Sequence, residues 1–171
     1  MMPEFSRQVD LRQITAAPIM LVATEQERAA LAARFGLVRI DRLEATVSLE
    51  ADGSLVSADG RVAADWVQAC AVSGEDLSLS ADEPFAIRFV PVRTDRKPDE
   101  EIELTADELD EIEYFGTSFD LGEAVAQSFA LAIDPFAAGP EAEAARKAAG
   151  IVSEGQTGAF AALAGLNLNK D

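Results

Sequence analysis

Hydrophobic residues recur at every second position through much of the first half of the chain and at helical spacing in two stretches, and these periods mark out strands and helices. Phe5 and Val9 anchor a loose alternation over Glu4–Leu11 that predicts a first strand. Thr24-Glu-Gln-Glu27 has the form of a capping box, in which the threonine oxygen takes the orphan amide near Glu27 and that carboxylate reaches back. The helix it opens turns Ala30, Leu31, Arg34 and Phe35 inward, and Gly36 supplies a left-handed stop. From Leu43 the period is two: Leu43, Ala45, Val47 and Leu49 alternate with Glu44, Thr46, Ser48 and Glu50, as in a half-buried strand. Asp52-Gly53 predicts a hairpin turn, Leu55 and Val56 a return strand, and Asp59-Gly60 a second turn. Val62, Ala64, Trp66, Gln68, Cys70 and Val72 then share one face of a long third strand. After a turn at 73–76, Leu77 and Leu79 form a strand piece, and Phe85, Ile87 and Phe89 form another that Pro91 brings to an edge or an end.

Residues 95–113 break this antiparallel meander with ten acids (Asp95, Asp99, Glu100, Glu101, Glu103, Asp107, Glu108, Asp110, Glu111, Glu113) against Arg96 and Lys97. Such a run repels itself, which predicts a solvated acidic loop over about 95–111. Order returns at Ile112 to Phe115. Asp120-Leu-Gly-Glu123 repeats the capping-box logic, and Leu121, Val125, Ser128, Phe129 and Ala132 follow at helical spacing until Asp134-Pro135. Pro140 to Ala149 predicts a short exposed helix, 150–158 a linker, and Ala159 to Leu166 a compact apolar patch of the kind that docks on its own domain or on a partner. Together these elements predict an α+β fold: a curved antiparallel sheet or partial β-barrel over about 4–116, two main covering helices near 24–35 and 120–133, and a mobile C-terminal tail. The expected division is a domain over 1–137 and a tail over 138–171.

Composition sharpens this picture mainly by exclusion. At 171 residues one domain is expected, and a chain of this size buries roughly 70% of its unfolded surface. A single cysteine, Cys70, excludes an internal disulfide framework and a multi-cysteine zinc site. With no histidine there is no Ser-His-Asp or Cys-His machinery and no imidazole ligand for a metal. The longest apolar stretch near the start, Ala16 to Ala23, is too short to cross a bilayer and follows Glu4 and Asp10, so the expectation is a cytoplasmic protein with no membrane association.

The net charge of −17 opposes sequence-independent nucleic-acid binding, which depends on Lys and Arg neutralising phosphates. The charge is uneven, however. Residues 1–42 carry six arginines, Arg7, Arg12, Arg28, Arg34, Arg39 and Arg42, against five acids, leaving 8 basic and 26 acidic residues for the rest. That first quarter is the region suited to a phosphate or an acidic partner, unless its arginines pair with the protein's own acids.

Specific chemistry finds little support. The stretch from Asp95 lacks the alternating ligands and central glycine of an EF-hand loop, so no metal site is expected. Neither G-x-G-x-x-G nor G-x-x-x-x-G-K-[ST] occurs, and no cofactor is expected. Cys70 has no histidine to act as its base, and its place on the Trp66 and Val72 face predicts a buried structural thiol. Glu27 and Glu123 are accounted for as helix-start residues.

Several segments nevertheless resemble one family. They are Glu4-Phe5-Ser6-Arg7, Glu27-Arg28, Leu31-Ala-Ala-Arg34-Phe35-Gly36-Leu37, Leu43-Glu-Ala45, Gln68-Ala-Cys70-Ala-Val72-Ser73, Pro84-Phe85 to Phe89, and above all Asp120-Leu-Gly-Glu-Ala-Val-Ala-Gln127 through Leu131-Ala-Ile-Asp134-Pro135. In this order they resemble the YceD-like family, and Phe160-Ala-Ala-Leu163 is similar to the tail of some members. The resemblance implies a bacterial factor needed for accumulation of large-subunit ribosomal RNA, with no catalytic activity. Many members carry paired cysteines in the region of Cys70; here Val72 and Ser73 follow instead, so a zinc-bearing version is not expected. Set against the charge, the resemblance predicts action through a basic ribosomal protein or RNA-processing enzyme, with rRNA contacted indirectly. The expected partner surface is Asp99, Glu100, Glu101, Glu103, Asp107 and Glu108, with Phe160 and Leu163 as an apolar anchor. Two alternatives stand beside it: a direct rRNA-binding module using the six arginines, and a metal-dependent RNA-processing enzyme using the acidic run.

Overall fold

The computed structural model describes residues 3–92 and 110–151. Its seven strands and three α-helices form an α+β fold. The strands are β1 (Gln8–Asp10), β2 (Ile19–Val22), β3 (Arg39–Asp52), β4 (Leu55–Ala69), β5 (Asp76–Pro91), β6 (Glu111–Tyr114) and β7 (Ser118–Asp120); the helices are α1 (Glu25–Phe35), α2 (Leu121–Ala132) and α3 (Ala142–Ala148). A five-stranded sheet runs β2-β3-β4-β5-β6, and β1 pairs with β7 in a separate two-stranded ribbon. The larger sheet is not closed into a barrel; among the described residues β2 and β6 are its outermost strands. Its pairing is also not purely antiparallel: β6 runs parallel to β5, from Arg88↔Glu111 to Pro91↔Tyr114.

The described residues fall into two compact units, one formed by residues up to Gln68 with Ser78–Asp134, the other by Ala69–Leu77 with residues from Pro135 onward. In that second unit Ala71 donates its amide to Ala137 O, and the Glu75 carboxylate accepts from the Glu141 amide that opens α3.

In the first unit the alternating residues of β3 and β4 meet row by row, as in Leu43↔Ala64, Ala45↔Val62 and Leu49↔Ala58, and all six are buried. A bulge between Ile40 and Arg42 absorbs one residue, so that Ile40 and Leu43 both face the core despite their odd spacing. α1 forms as its local sequence dictates. Thr24 and Glu27 make both halves of the capping box, and Gly36 closes the helix with φ 67°. Leu31 and Ala32 are its buried residues, and Arg34 is turned outward rather than into the core. α2 is capped by Asp120, which accepts from the Glu123 amide. The reciprocal half of that box is replaced, because the Glu123 carboxylate binds Arg34 instead.

Several strand expectations need correction. Only Gln8–Asp10 of the first segment is strand, followed by a single 3-10 turn at Leu11–Gln13. Asp59-Gly60 is not a turn: it lies inside β4 opposite Ser48 and Val47, which makes β3 and β4 one long hairpin. A side chain at Gly60 would come within 2.6 Å of Thr46 O and 2.8 Å of the Phe85 ring, so the glycine serves close packing. β4 stops at Ala69, which leaves Val72 in the turn beyond it rather than on the Trp66 face. The two strand pieces around Leu79 and Phe85 are one strand, β5, and β2 and β7 carry too few residues for a legible period.

The core of the first unit closes on aromatic pairs. Phe129 of α2 meets Phe35 and Trp66 edge to face at 5.9 and 5.4 Å, and Phe89 stacks on Phe119 at 4.1 Å. The Trp66 indole N–H donates to Gln68 Oε1, and the Gln68 amide donates to Asp134 O, which satisfies a side chain only 5% exposed.

Candidate functional site

The six arginines suited to a phosphate are each committed inside the first unit. Arg7 forks onto both carboxylate oxygens of Glu27 at 2.6 and 3.0 Å and also donates to the Ser6 and Val22 carbonyls. Arg34 bridges Glu4 at 3.0 Å and Glu123 at 2.8 Å, tying α1 to the N-terminal segment and to α2. Arg28 donates to the carbonyls of Ala23 and Ile40. Arg12 pairs with Asp10, Arg39 with Asp41, and Arg42 with both Glu44 and Asp65. The Arg7 hydrogen bond leads the causes that hold Glu27 down at about 2. That pair is therefore intact at neutral pH, and its contribution fades only as acidity passes the ordinary carboxylate range toward 2. Five of the six arginines thus pair with acids from 2 to 89 residues away in sequence, and Arg28 is held by carbonyls.

Among the described residues, no three or more Cys, Asp and Glu side chains converge as a metal ion would require, and no helix is long and apolar enough to cross a membrane. The expected partner-binding residues Asp99, Glu100, Glu101, Glu103, Asp107, Glu108, Phe160 and Leu163 lie outside the described residues.

A groove of about 720 Å³ runs beside β5 in the first unit. Its floor is apolar, with Ala81, Phe85 and Ile87 of β5 and Ile112 of β6, all half-buried inner-face positions. Gln127, Ser128, Leu131 and Ala132 of α2 form one wall, and Leu131 is 88% exposed. Glu83, Asp110 and Glu111 supply carboxylates around it, Glu111 paired with Arg88 at 3.3 Å, and no lysine or arginine is among the described residues that line it. The groove exists because α2, at roughly 18 Å, cannot cover a strand of roughly 50 Å. Sequence reasoning missed it because Phe85, Ile87 and Ile112 carry the same alternation as fully buried residues.

In the second unit, Cys70 is buried as expected but is not inert in its chemistry. The backbone amides of Val72 and Ser73, both 3.4 Å away, and of Gly139 at 3.3 Å point at Sγ. Hydrogen bonding from the Ser73 side chain leads the causes that lower the thiol from 9.0 to about 6, followed by the amides of Ser73 and Gly139, so a hydroxyl and main-chain donors take the role that a histidine or cation would otherwise fill. The sequence hides most of this, because the amide donors come from two segments far apart. The thiolate absorbance at 240 nm is expected to titrate with a midpoint near 6 in the folded protein and to vanish in Cys70→Ser. Between 6 and 9.0 the unfolded chain holds the proton and the folded chain does not, so stability rises with pH through that window and the gain is absent below 6. A folded-state midpoint near 9.0 would contradict the geometry.

No family model, no curated protein and no solved structure matches the chain.

Proposed function

We propose that the protein is a non-catalytic cytoplasmic factor that supports accumulation of large-subunit ribosomal RNA by binding a basic protein partner, either a ribosomal protein or an RNA-processing enzyme. The ribosomal part of this reading is supported by the sequence resemblance centred on Asp120 to Pro135. The choice of a protein partner is carried by one observation: each of the six arginines suited to phosphate is already engaged by the chain's own carboxylates or carbonyls. Direct RNA contact would compete with those pairs, more strongly at Arg7, Arg28 and Arg34 than at the exposed Arg12, Arg39 and Arg42, while the net charge of −17 favours encounter with a cationic surface.

The test is recovery of the tagged full-length protein from growing cells, with and without nuclease treatment, followed by mass spectrometry. A basic ribosomal or RNA-processing protein recovered equally in both is the expected result. Recovery that collapses on nuclease treatment would overturn the protein-partner reading, and normal large-subunit rRNA levels in a deletion strain would overturn the ribosomal one.

A further inference from the structure

Among the described residues, the pairing of β6 with β5 covers Arg88–Pro91, and β6 is the outermost strand on that side of the sheet. Among the described residues, no strand lies beside Ser80–Ile87 on that side, and this is the stretch of β5 that borders the groove. An unpaired strand edge offers main-chain donors and acceptors, and sheets that leave one exposed blunt it or use it to bind. Here the blunting is partial, since Pro84 removes one amide and Glu83 adds a charge. The floor beside the edge remains apolar, with Phe85 and Ile87 half-buried, and Leu131 stands open to solvent above it.

We propose that this groove is a docking site for an extended segment of a partner protein, with basic and apolar residues at alternate positions. The inference rests on the protein-partner reading above and names how that partner binds. Extended backbone is chosen over helix because a strand can pair with the stretch of β5 that no described strand covers, whereas a helix satisfies only itself. In a strand successive side chains point to opposite faces, so one set packs on Phe85, Ile87 and Ile112. The other set faces the rim, where Glu83 and Asp110 lie beside Glu111, itself held by Arg88 at 3.3 Å, and these carboxylates select lysine or arginine.

The experiment measures fluorescence anisotropy of labelled peptides with the full-length protein. The peptides are Lys-Val-Lys-Val-Lys-Val-Lys, a rearrangement of the same residues without alternation, and the counterpart with Glu replacing Lys. The alternating basic peptide is expected to bind, with the other two at least about tenfold weaker. Leu131→Lys and, separately, Glu83→Lys change exposed side chains, so the fold survives, and each is expected to weaken the alternating peptide about tenfold. Equal binding of the rearranged peptide would reduce the interaction to charge alone and overturn the groove. So would unchanged binding by both variants. Carrying Leu131→Lys into the nuclease-treated recovery separates the two levels of argument. A partner retained by wild type and variant alike sinks the groove and leaves the protein-partner reading standing, whereas loss of the partner from wild type on nuclease treatment sinks that reading itself.

Discussion

Phe129→Ala is expected to destabilise the first unit by about 3–5 kcal/mol, the range for emptying a buried aromatic site. The ring is fully buried and touches α1 through Phe35 and the sheet through Trp66, so its removal unseats contacts on two sides at once. Collapse cannot fill the space, because the floor is a strand row fixed by pairing with β3. The chain's one tryptophan is a direct neighbour of the deleted ring, and urea unfolding followed by its fluorescence reports the change without a label. Leu131→Ala, on the same helix but 88% exposed, is the matched control and should stay within about 0.5 kcal/mol of wild type. A midpoint for Phe129→Ala equal to that of the control would mean that the helix is not seated as described.

Gly122→Ala should also be strongly destabilising, and here the sign itself is informative. On an exposed helix this exchange stabilises by about 1 kcal/mol, because alanine is the better helix former. At Gly122 the added carbon would sit 2.5 Å from Phe5 O and 2.8 Å from the Arg7 nitrogen, both main-chain atoms that cannot turn aside. The N-terminal segment is held at that spot by Ser6 and Arg7 donating to Asp120, and by the Leu121 amide donating to Arg7 O. Relief of the clash requires that segment to lift and Phe5 to leave the core, at an expected cost of about 2 kcal/mol or more. Hydrogen exchange should show new exposure of the Arg7 and Leu121 amides. A gain in stability would show that the close approach does not exist.

What the sequence discloses follows the range of each interaction. α1 is legible because its capping box, inner residues and left-handed stop fall within thirteen consecutive positions, from Thr24 to Gly36. The row Leu43, Ala45, Val47 and Leu49 is legible for the same reason, since a period of two needs no knowledge of the partner strand. Asp59-Gly60 misleads because a glycine that admits a ring from a distant strand looks the same as a glycine that makes a turn. The arginines of the first quarter look available until Arg34 finds Glu123, 89 residues on. The thiol environment of Cys70 was hidden because all its donors but the Ser73 hydroxyl are main-chain groups, one of them from distant Gly139, and the groove because it is defined by what a short helix fails to cover.

The meeting of Gly60 with Phe85 carries a meaning for the sheet as a whole. A slot without a side chain on one strand and a bulky ring from another behave as a keyway and its key. Sliding β4 by one position would present Asp59 or Arg61 to the ring, and sliding it by two would present Ala58 or Val62, so every neighbouring alignment is penalised by collision. Alternating apolar residues alone tolerate two-residue slips; the short turn between Asp52 and Leu55 fixes β4 against β3, and this vacancy adds a restraint of β4 against β5.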